Sequence, residues 1–397
     1  MAPMRVTYFH YIYKTRGPLV QLSEFVKAFR ALGHELNVHA MDEEPQASRR
    51  ARIKENLKPY FARYLHEANT LRKNFSYYSR ECRILKAEQP DLVFTRYKLY
   101  HLASAFAARR FHLPFVLWVD APAAYEQRKY LREFFQIPGV AEWIERKLLE
   151  RADRIILVSE ESKQYLPKFS GLNGRVEVVT NGVDIERFNP SLDSKKIRVD
   201  FPEANPIVLG FVGSFAPWHG IESLKALMSF ALSSYDHACF LLVGEGPRRS
   251  ELERFIQSGR WDPRRVRFTG QVEHEEVPQY LGAMDICLLP YDQGSEGFYF
   301  SPLKLFEYLG CGKAVLAARV GQVEQVIEEG VNGLLYDSGD LDVAKAKCRR
   351  LIEEVSLRRR LGQAGRQIVL ERYTWKHTAC AVERILQDVL EKRQSPS

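Results

Sequence analysis

The sequence lacks the features that mark a membrane-spanning or exported protein. No apolar run approaches the roughly 18–20 residues that a membrane-spanning helix needs. The N-terminal stretch MAPMRVTYFHYIYK has neither the apolar core nor the small-residue cleavage site of a signal peptide. We therefore expect the protein to remain in the cytoplasm.

Cysteine is scarce, and its placement argues against two further classes of protein. The six cysteines are scattered, with no CxxC pair and no Cys/His spacing typical of metal ligands. We therefore expect reduced thiols, and neither a disulfide framework nor a zinc site. No DxD-like acidic cluster lies where it would hold a divalent metal, and no GxGxxG motif of an NAD-dependent dehydrogenase follows a predicted strand.

The length of the chain predicts two domains. Its 397 residues exceed the roughly 250–300 at which a single hydrophobic core stops growing. Apolar residues make up 45% of the chain and charged residues 27%, as in ordinary globular proteins. Each half is therefore long enough to bury a core of its own.

The net charge of +8 is concentrated in one segment. Between residues 48 and 88 the chain has eleven Lys and Arg against four Glu, interleaved with aromatic and leucine side chains. This pattern is typical of a basic amphipathic helical region that lies on an anionic membrane, here the inner face of the cell membrane. The alternative is a helical face exposed to solvent, and both interpretations stay open. No nucleic-acid motif accompanies the charge, so we expect no nucleic acid partner.

Short β-branched or aromatic runs alternate with amphipathic helical stretches along the whole chain. The alternation predicts an α/β fold with parallel sheets covered by helices on both faces. A polar stretch with three prolines, NPSLDSKKIRVDFPEANP, predicts a linker, and the pattern restarts after it. We therefore predict two doubly wound, Rossmann-like domains, residues 1–188 and 207–374. The predicted strands are 5–10, 35–40, 91–96, 114–120, 154–160 and 176–180, then 207–213, 239–244, 266–271, 286–291, 314–319 and 333–336.

Three glycine-bearing turns between a predicted strand and a predicted helix are candidate ligand sites. They contain Gly17, Gly213 with Gly220, and Gly244 with Gly246. In open α/β sheets, ligands bind beyond the carboxyl ends of the strands, where such turns let the backbone approach a phosphate or a sugar. The alternative for each turn is that glycine only permits a tight bend.

The segment SPLKLFEYLGCGKAVLAARVGQ, residues 301–322, is the strongest candidate site. Ser301 is the expected N-cap and Pro302 suits the first helical turn, so the helix would begin with exposed N–H groups. Lys304 and Glu307 would project from the same face of that helix. A helix start beside an ammonium fits a diphosphate, and a carboxylate one turn on fits the hydroxyls of a ribose. The alternative is that the two side chains pair on a solvated surface.

Several segments occur together in one order over nearly the full length of the chain, and this joint order is more specific than any one of them. They are RALGHELNVHA, ADRIILVSEESKQYL, VVTNGVDIERFNP, GFVGS, FLLVGEGP, VRFTGQV and SPLKLFEYLGCGKAVLA. By these segments the chain resembles the family 4 glycosyltransferases, retaining enzymes of the two-domain GT-B architecture. PDLVFTRY and PFVLWVDAP suggest a subgroup that builds surface polysaccharides or glycolipids.

The resemblance implies roles for individual residues. Glu307 matches the second glutamate of the family's paired-glutamate motif, which holds the donor ribose. Gln271 and Val272 fall where backbone groups read the base, and Gly17 falls under the donor phosphates. Asp120 falls near the position that contacts the transferred sugar.

The resemblance also implies an arrangement of the two domains. The first domain would bind the acceptor and the second the donor, on either side of a cleft. The helix predicted over residues 375–393 would pack back on the first domain.

The chain departs from the family pattern at three positions. Tyr299 stands where the motif usually has its first glutamate, and Glu296 has the wrong spacing to replace it. Ser214 and His219 stand where a basic pair usually grips the diphosphate. We expect Lys304 to supply the missing cation, with His219 either adding a second positive charge if protonated or serving only in packing.

These observations predict a retaining, metal-independent glycosyltransferase without a protein nucleophile. The donor is a nucleotide sugar, with a UDP-sugar favoured as the commonest case in the resembled family, and no cofactor is expected. The acceptor is expected to be lipid-linked, a polysaccharide or another glycan. The alternative is a non-catalytic nucleotide-binding or scaffold protein on the same fold. The predicted catalytic residues are Lys304, His219, Ser214 and Asp120, and the predicted donor-binding residues are Gly17, Gly213, Gly246, Gln271, Val272, Ser301, Pro302, Leu303 and Glu307.

Overall fold

The structure is a computed structural model that describes residues 3–12, 16–42, 59–130, 139–192, 194–292 and 298–394. The chain forms two compact units. Unit 1 consists of Met1–Thr180 with Thr378–Ser397, and unit 2 of Asn181–His377. Each unit is built around one six-stranded sheet, and the paired strands run parallel in both. The predicted α/β class is therefore confirmed.

Unit 1 has the strand order β2-β1-β3-β4-β5-β6. All six of its strands coincide with predicted ones to within three residues at each end. The strands are β1 Arg5–His10, β2 Glu35–Ala40, β3 Leu92–Arg96, β4 Phe115–Val119, β5 Arg154–Leu157 and β6 Val176–Val178. The helices are α1 Arg16–Arg30, α2 Pro59–Glu88, α3 Ala103–Arg110, α4 Ala123–Tyr130 and α5 Val140–Leu149, with a 3₁₀ helix at Glu160–Tyr165.

The central strands β3 and β4 form because their side chains are mostly apolar on both faces. Every residue of β3 and β4 is buried, as expected for a parallel sheet with helices on either side. Helix α1 packs Phe25 against Trp118 of β4, with ring centroids 5.0 Å apart. Leu22 and Phe29, at helical spacing from Phe25, are also buried and mark the same face of α1.

Unit 2 has the strand order β12-β11-β10-β7-β8-β9. All six predicted strands are again found. The strands are β7 Ile207–Val212, β8 Ala238–Val243, β9 Val266–Gly270, β10 Ile286–Leu289, β11 Ala314–Arg319 and β12 Leu334–Asp337. The helices are α6 Lys195–Arg198, α7 Ile221–Ser234, α8 Arg249–Ser258, α9 Val277–Ala283, α10 Leu303–Gly310, α11 Gly321–Val326, α12 Leu341–Glu353, α13 Val355–Arg372 and α14 Trp375–Gln394, with 3₁₀ helices at Pro217–His219 and Pro263–Arg265.

The strand order of unit 2 determines where a ligand site is expected. Strand β7 lies between β8, the next strand in sequence, and β10, which comes after a crossover. At such a switch point the loops that follow the two neighbouring strands leave the sheet in opposite directions and open a crevice. The turns after β7 and β10 are therefore the expected site.

Helix α14 begins in unit 2 and continues in unit 1. From Thr378 onward its residues belong to unit 1. There Glu383 contacts the His34 ring, with Oε1 2.8 Å from Nε2, and Arg393 donates to the carbonyl oxygen of His112 at 2.7 Å. No described helix, α14 included, is long and apolar enough to cross a membrane.

A buried carboxyl group connects α2 to the rest of unit 1. Glu81 of α2 is fully buried, and its Oε1 accepts a hydrogen bond of 2.6 Å from the Tyr11 hydroxyl. The Tyr11 oxygen lies 2.8 Å from the hydroxyl of Ser104, which donates to it. The second carboxyl oxygen, Oε2, has no partner among the described residues. Burial raises the pKa of Glu81 from 4.5 to about 8, so the side chain is largely neutral at pH 7.

Replacing Glu81 with Gln should therefore change the pH dependence of stability. Because the folded-state pKa is raised, the wild type loses stability as pH rises from about 4.5 through about 8, and Glu81→Gln does not. We expect similar free energies of unfolding at about pH 5 and an advantage for the variant of a few kcal/mol, roughly, at about pH 8.5.

Urea unfolding at the two pH values measures this difference. Glu177→Gln, at an exposed position of unit 1, is the matched control and should show no such change. A Glu81→Gln variant that stays equal to or below the wild type in stability at pH 8.5 would show that the carboxyl group is ionised without penalty.

Candidate functional site

The turn after β7 holds a residue in a strained backbone conformation. Phe215 has φ 43°, in the left-handed region that only glycine adopts readily. Its side chain is fully buried against Phe211, with ring centroids 5.4 Å apart. Ser214, just before it, is exposed. A strained turn that presents a small polar side chain to solvent at a switch point is typical of ligand sites.

His219 closes this turn and is buried. Its Nδ1 accepts a hydrogen bond of 3.3 Å from the N–H of Ala216, so the neutral ring carries its proton on Nε2. The ring lies 5.6 Å from that of Tyr291, which follows β10. The turns after β7 and β10 therefore meet at His219.

Close packing explains why glycine occupies three positions of the site. A Cβ at Gly213 would overlap the Lys304 ammonium. A Cβ at Gly246 would overlap the carbonyl oxygen of Ser214, so the turns after β7 and β8 pack backbone against backbone. Gly220, with φ 61°, approaches the carbonyl of Pro290 equally closely. These contacts explain the glycines without a ligand, and the predicted donor contact of Gly246 stays a prediction.

Helix α10 begins one residue later than its sequence predicts. Pro302 is the residue before the first helical turn, and no side chain caps the helix. Ser301 does not act as the N-cap, because its Oγ accepts instead from the N–H of Asn181 at 3.3 Å and its carbonyl oxygen from Asn181 Nδ2 at 3.0 Å. The prediction of a Ser301 cap is therefore wrong. The helix start at Pro302 and Leu303 nonetheless has no side chain competing with an anion for its N–H groups.

Lys304 points its ammonium into the turn after β7. Nζ lies 3.3 Å from Nε2 of His219 and 4.4 Å from the centre of the Phe211 ring. No described residue forms an ion pair with it, and the Glu307 carboxylate contacts His274 instead. Burial, only partly opposed by the Glu307 charge, lowers the pKa of Lys304 from 10.5 to about 7. Among the described residues, Lys304 is therefore a buried basic group without an ion-pair partner.

His219 does not provide a second cation in this structure. Burial, and then the nearby Lys304, hold the pKa of His219 well below its ordinary value of 6.5. The ring is therefore neutral at pH 7, and of the two roles considered for it the positive charge is disfavoured. With its proton on Nε2, the neutral ring donates to the uncharged Lys304 amine, 3.3 Å away. Beside the charged form of Lys304 the same N–H is a donor for an acceptor that binds there.

Glu307 lies one turn after Lys304 and does not pair with it. The residue is 7% exposed, and its Oε1 lies 2.8 Å from Nε2 of His274. The interpretation of a Lys304–Glu307 pair on a solvated surface is therefore wrong. The Tyr308 hydroxyl accepts from the N–H of Val212 at 2.8 Å, which ties α10 to the end of β7.

The position expected for a first glutamate is aromatic and buried. Tyr299 is 1% exposed and its ring centroid lies 4.4 Å from that of Phe300. Phe300 in turn stacks on Trp218, with centroids 5.8 Å apart. Glu296 lies outside the described residues. An aromatic wall therefore stands where the family usually has a charged side chain.

The loop after β9 carries the residues predicted to read the base. Gln271 is exposed and Val272 is half-buried against the core of unit 2. The carbonyl oxygen of Gly270 accepts from the N–H of Gly244 at 2.9 Å, so the loops after β8 and β9 are joined by a backbone hydrogen bond. The contact of Gln271 and Val272 with a base stays a prediction.

In unit 1, Asp120 is held by two partners that the sequence analysis did not identify. The buried Arg96 guanidinium forms an ion pair with Asp120 and donates to Gln21 Oε1. Gln21 Nε2 donates to Asp120 Oδ1 at 3.0 Å. An arginine at the end of an otherwise apolar strand was the available signal. Gly17, the second residue of α1, is exposed and has open space where a Cβ would lie, so packing does not require glycine there.

The structure therefore brings most predicted site residues together in unit 2. Gly213, His219, Lys304 and the start of α10 converge at the ends of β7 and β10, with Glu307 one turn into the helix. An uncapped helix start and an unpaired ammonium suit a diphosphate, and a half-satisfied carboxylate suits a diol. His274 joins this set, and nothing in the sequence analysis identified it.

Two family profiles match the chain. The profile described as Glycosyltransferase Family 4 matches residues 16–187, and the profile described as Glycosyl transferases group 1 matches residues 206–354. The two matches do not overlap, and each falls mainly in one of the two units.

Individual proteins are also similar to this chain in sequence or in fold. An uncharacterized glycosyltransferase of Methanocaldococcus jannaschii is 24% identical over 75% of this chain and 75% of its own. A GDP-mannose-dependent monoacylated alpha-(1-6)-phosphatidylinositol monomannoside mannosyltransferase of Corynebacterium glutamicum is 24% identical over 63% of this chain and 66% of its own. The crystal structure of Anabaena HepE with UDP-glucose has a TM-score of 0.68 at 19% identity, covering 97% of this chain and 100% of that one. This last likeness shows a shared fold.

Replacing Lys304 with Met should stabilise the protein. Because the folded-state pKa of Lys304 is lowered to about 7, the buried ammonium is a cost at and below neutral pH that fades as pH rises toward about 10.5. We expect the variant to exceed the wild type in free energy of unfolding at about pH 6.5, by a few kcal/mol, roughly, and the excess to shrink toward pH 10.

Urea unfolding at several pH values tests this expectation. Lys376→Met, at an exposed position of unit 2, is the matched control and should leave stability nearly unchanged. A loss of stability in Lys304→Met at pH 6.5 would mean that the ammonium is balanced by a charge that its present surroundings do not show.

Proposed function

The chain belongs to the family 4 glycosyltransferases and has their GT-B fold, and on this basis we propose a specific reaction for it. It transfers a sugar from a nucleotide diphosphate donor, bound in unit 2, with retention of configuration and without a divalent metal. Its acceptor is a lipid-linked sugar, a polysaccharide or another glycan. The family membership favours an enzyme over a non-catalytic nucleotide-binding protein.

One observation carries the proposal. The Lys304 ammonium, the start of α10 and the Glu307 carboxylate lie on one short helix at the switch point of unit 2. In the part of the chain that the structure describes, the ammonium has no ion-pair partner and no side chain caps the helix start. A nucleoside diphosphate needs positive charge at its phosphates and hydrogen-bond acceptors at its ribose. The order of these groups along the helix supports that ligand, with the phosphates at Lys304 and the ribose at Glu307.

Stabilisation of the leaving diphosphate is the main catalytic requirement. Negative charge grows on the phosphate oxygen as the bond to the sugar breaks, and a pre-positioned ammonium opposes it without reorganisation. A bound diphosphate would raise the pKa of Lys304 and favour its charged form. His219 would donate its Nε2–H to a phosphate oxygen, and Ser214 would add its hydroxyl. These groups take the place of the basic pair that the chain lacks.

Retention follows if the donor's own phosphate assists the acceptor. The bond between the anomeric carbon and the diphosphate oxygen breaks, and the acceptor hydroxyl oxygen bonds to the anomeric carbon on the same face. The hydroxyl proton passes to the departing diphosphate, so the products are the glycosylated acceptor and a nucleoside diphosphate. No protein nucleophile is required, and Asp120 would bind a hydroxyl of the transferred sugar from unit 1.

The identity of the substrates is proposed by analogy. HepE, which shares the fold, binds UDP-glucose, and this supports a UDP-sugar as the donor. The Corynebacterium relative is named for GDP-mannose and for an acylated phosphatidylinositol mannoside, which supports an acceptor that carries a lipid. We propose a cytoplasmic enzyme that works at the inner face of the cell membrane.

Two exposed aromatic side chains of unit 1 support the membrane part of the proposal. Phe75 of α2 is 79% exposed and Trp143 of α5 is 59% exposed. Leu71 and Val140, one turn before each of them, pack on the same small apolar cluster, so the two helices are neighbours there. The basic side chains of α2 that lie exposed nearby in sequence are Arg72, Lys73, Arg83 and Lys86. Residues 48–58 of the basic segment lie outside the described residues.

Removing the site's charges should abolish most activity. We expect Lys304→Ala to lower kcat for sugar transfer by on the order of 100-fold, because it stabilises the leaving group. Glu307→Ala should mainly raise the KM for the donor, because a ribose contact is made in the ground state as well. Release of nucleoside diphosphate from a panel of nucleotide sugars, with a membrane extract as acceptor, measures both.

The controls for these variants are at exposed positions of unit 2. Lys376→Ala and Glu371→Ala remove the same charges and should keep wild-type rates. Rates near wild type in both Lys304→Ala and Glu307→Ala would remove the basis of the proposed reaction.

Membrane binding has a separate test. The double variant Phe75→Ala with Trp143→Ala should bind vesicles containing phosphatidylglycerol roughly tenfold more weakly, because each aromatic ring loses its burial in the interface. Leu370→Ala, at a partly exposed apolar position of unit 2, is the control. Co-sedimentation measures the binding. If the double variant sediments like the wild type, the helical face is exposed to solvent and the membrane interpretation fails.

A further inference from the structure

His274 is a partly buried partner of Glu307 that comes from a different part of unit 2. It lies in the loop between β9 and α9, two residues after Val272. Its Nε2 is 2.8 Å from Glu307 Oε1, and its ring lies 5.5 Å from that of Phe188. The side chains of His274 and Glu307 are only 20% and 10% exposed. Packing therefore restricts the movement of both side chains.

The hydrogen bond from His274 leaves half of the carboxylate unused. An ionised carboxylate offers two oxygens that accept hydrogen bonds and no donor. Oε1 of Glu307 takes the His274 bond, whereas Oε2 receives none from the described residues. A buried carboxylate with one free oxygen is costly unless a ligand or water completes its hydrogen bonds.

The Glu307 side chain is held in place both at its backbone and at its carboxylate. Tyr308, the next residue along α10, anchors the helix to β7 through Val212. His274 then restricts the remaining rotation of the Glu307 side chain. Fixing a rotamer-rich side chain before binding removes an entropic cost that binding would otherwise include.

We propose that His274 is a positioning residue that orients Glu307 toward the ribose of the donor, and so makes the site selective for ribonucleotides over deoxyribonucleotides. This inference rests on the proposed function, because it takes Glu307 as the ribose ligand. It adds a second role for the loop after β9, which both borders the predicted base position and holds the ribose acceptor in place.

The selectivity arises because only the ribonucleotide uses the pre-positioned carboxylate. A ribose places a hydroxyl donor against Glu307 Oε2, whereas a deoxyribose lacks one of the hydroxyls that this oxygen would accept from. Without His274 the carboxylate turns toward solvent, and the ribonucleotide binds more weakly because it must first order this side chain. A deoxy analogue that does not use the carboxylate binds about as before, since its phosphates and base are unaffected.

Isothermal titration of the full-length protein with UDP, 2′-deoxy-UDP and 3′-deoxy-UDP tests this inference. If the wild type binds GDP more tightly than UDP, the guanosine series is used instead. We expect the wild type to prefer the ribonucleotide to at least one deoxy analogue, and His274→Ala to lose roughly tenfold of that preference. The affinity of His274→Ala for that deoxy analogue should stay near the wild-type value. His274→Gln, which keeps a side-chain N–H donor, should recover part of the preference, a recovery that a purely structural role would not produce.

Two variants separate the possible failures. His237→Ala, at an exposed position of unit 2, is the matched control and should keep the full preference. If Glu307→Ala also keeps it, Glu307 does not bind the ribose and the proposed donor site fails with the inference. If Glu307→Ala loses the preference and His274→Ala keeps it, only the role of His274 is overturned. Tighter binding of the ribonucleotide by His274→Ala would likewise overturn it, since His274 would then compete with the ribose for Glu307.

Discussion

The buried ammonium of Lys304, which forms no ion pair with a described residue, is the constraint on which the site in unit 2 depends. An isolated charge in such surroundings is costly, and the neighbouring structure is arranged to tolerate it. Gly213 has no side chain to occupy the space of Nζ, and the faces of Phe211 and Tyr291 attract a cation. Neutral His219 completes the surroundings without adding charge. The molecule keeps this arrangement at the expense of stability, as active sites commonly do.

The sheet order explains why these groups meet. Strand β7 is central, and the chain leaves it first toward β8 and later returns on its other side as β10. The turn after β7 and the segment after β10 are far apart in sequence, yet the parallel register brings their starts together. In the reaction proposed above, Lys304 in the first turn of α10 would replace the basic pair that other members carry after β7. It would meet the charge of a diphosphate from the other side of the crevice.

The twelve strands and the position of Lys304 and Glu307 followed from sequence because each depends on local pattern. Buried parallel strands read as short apolar runs, and a helix after a strand must begin near the sheet edge. Contacts between segments that are far apart in the sequence could not be predicted from local pattern. Asn181 takes Ser301 away from the expected cap, and His274 reaches Glu307 from another loop. Arg96 holds Asp120 across two strands. A single sequence contains no signal for such pairings. It also contains no signal for the left-handed φ of Phe215.

Helix α14 has a consequence for how the protein is made. The final stretch of unit 1, from Thr378 onward, is synthesised only after all of unit 2. Apolar surface of the first unit stays uncovered until the buried residues Ala379, Val382, Leu386 and Val389 have left the ribosome. Unit 2 is contiguous in sequence and can fold as soon as it has been synthesised, whereas unit 1 must wait for this later stretch. A nascent chain stalled before residue 378 therefore exposes apolar surface of unit 1.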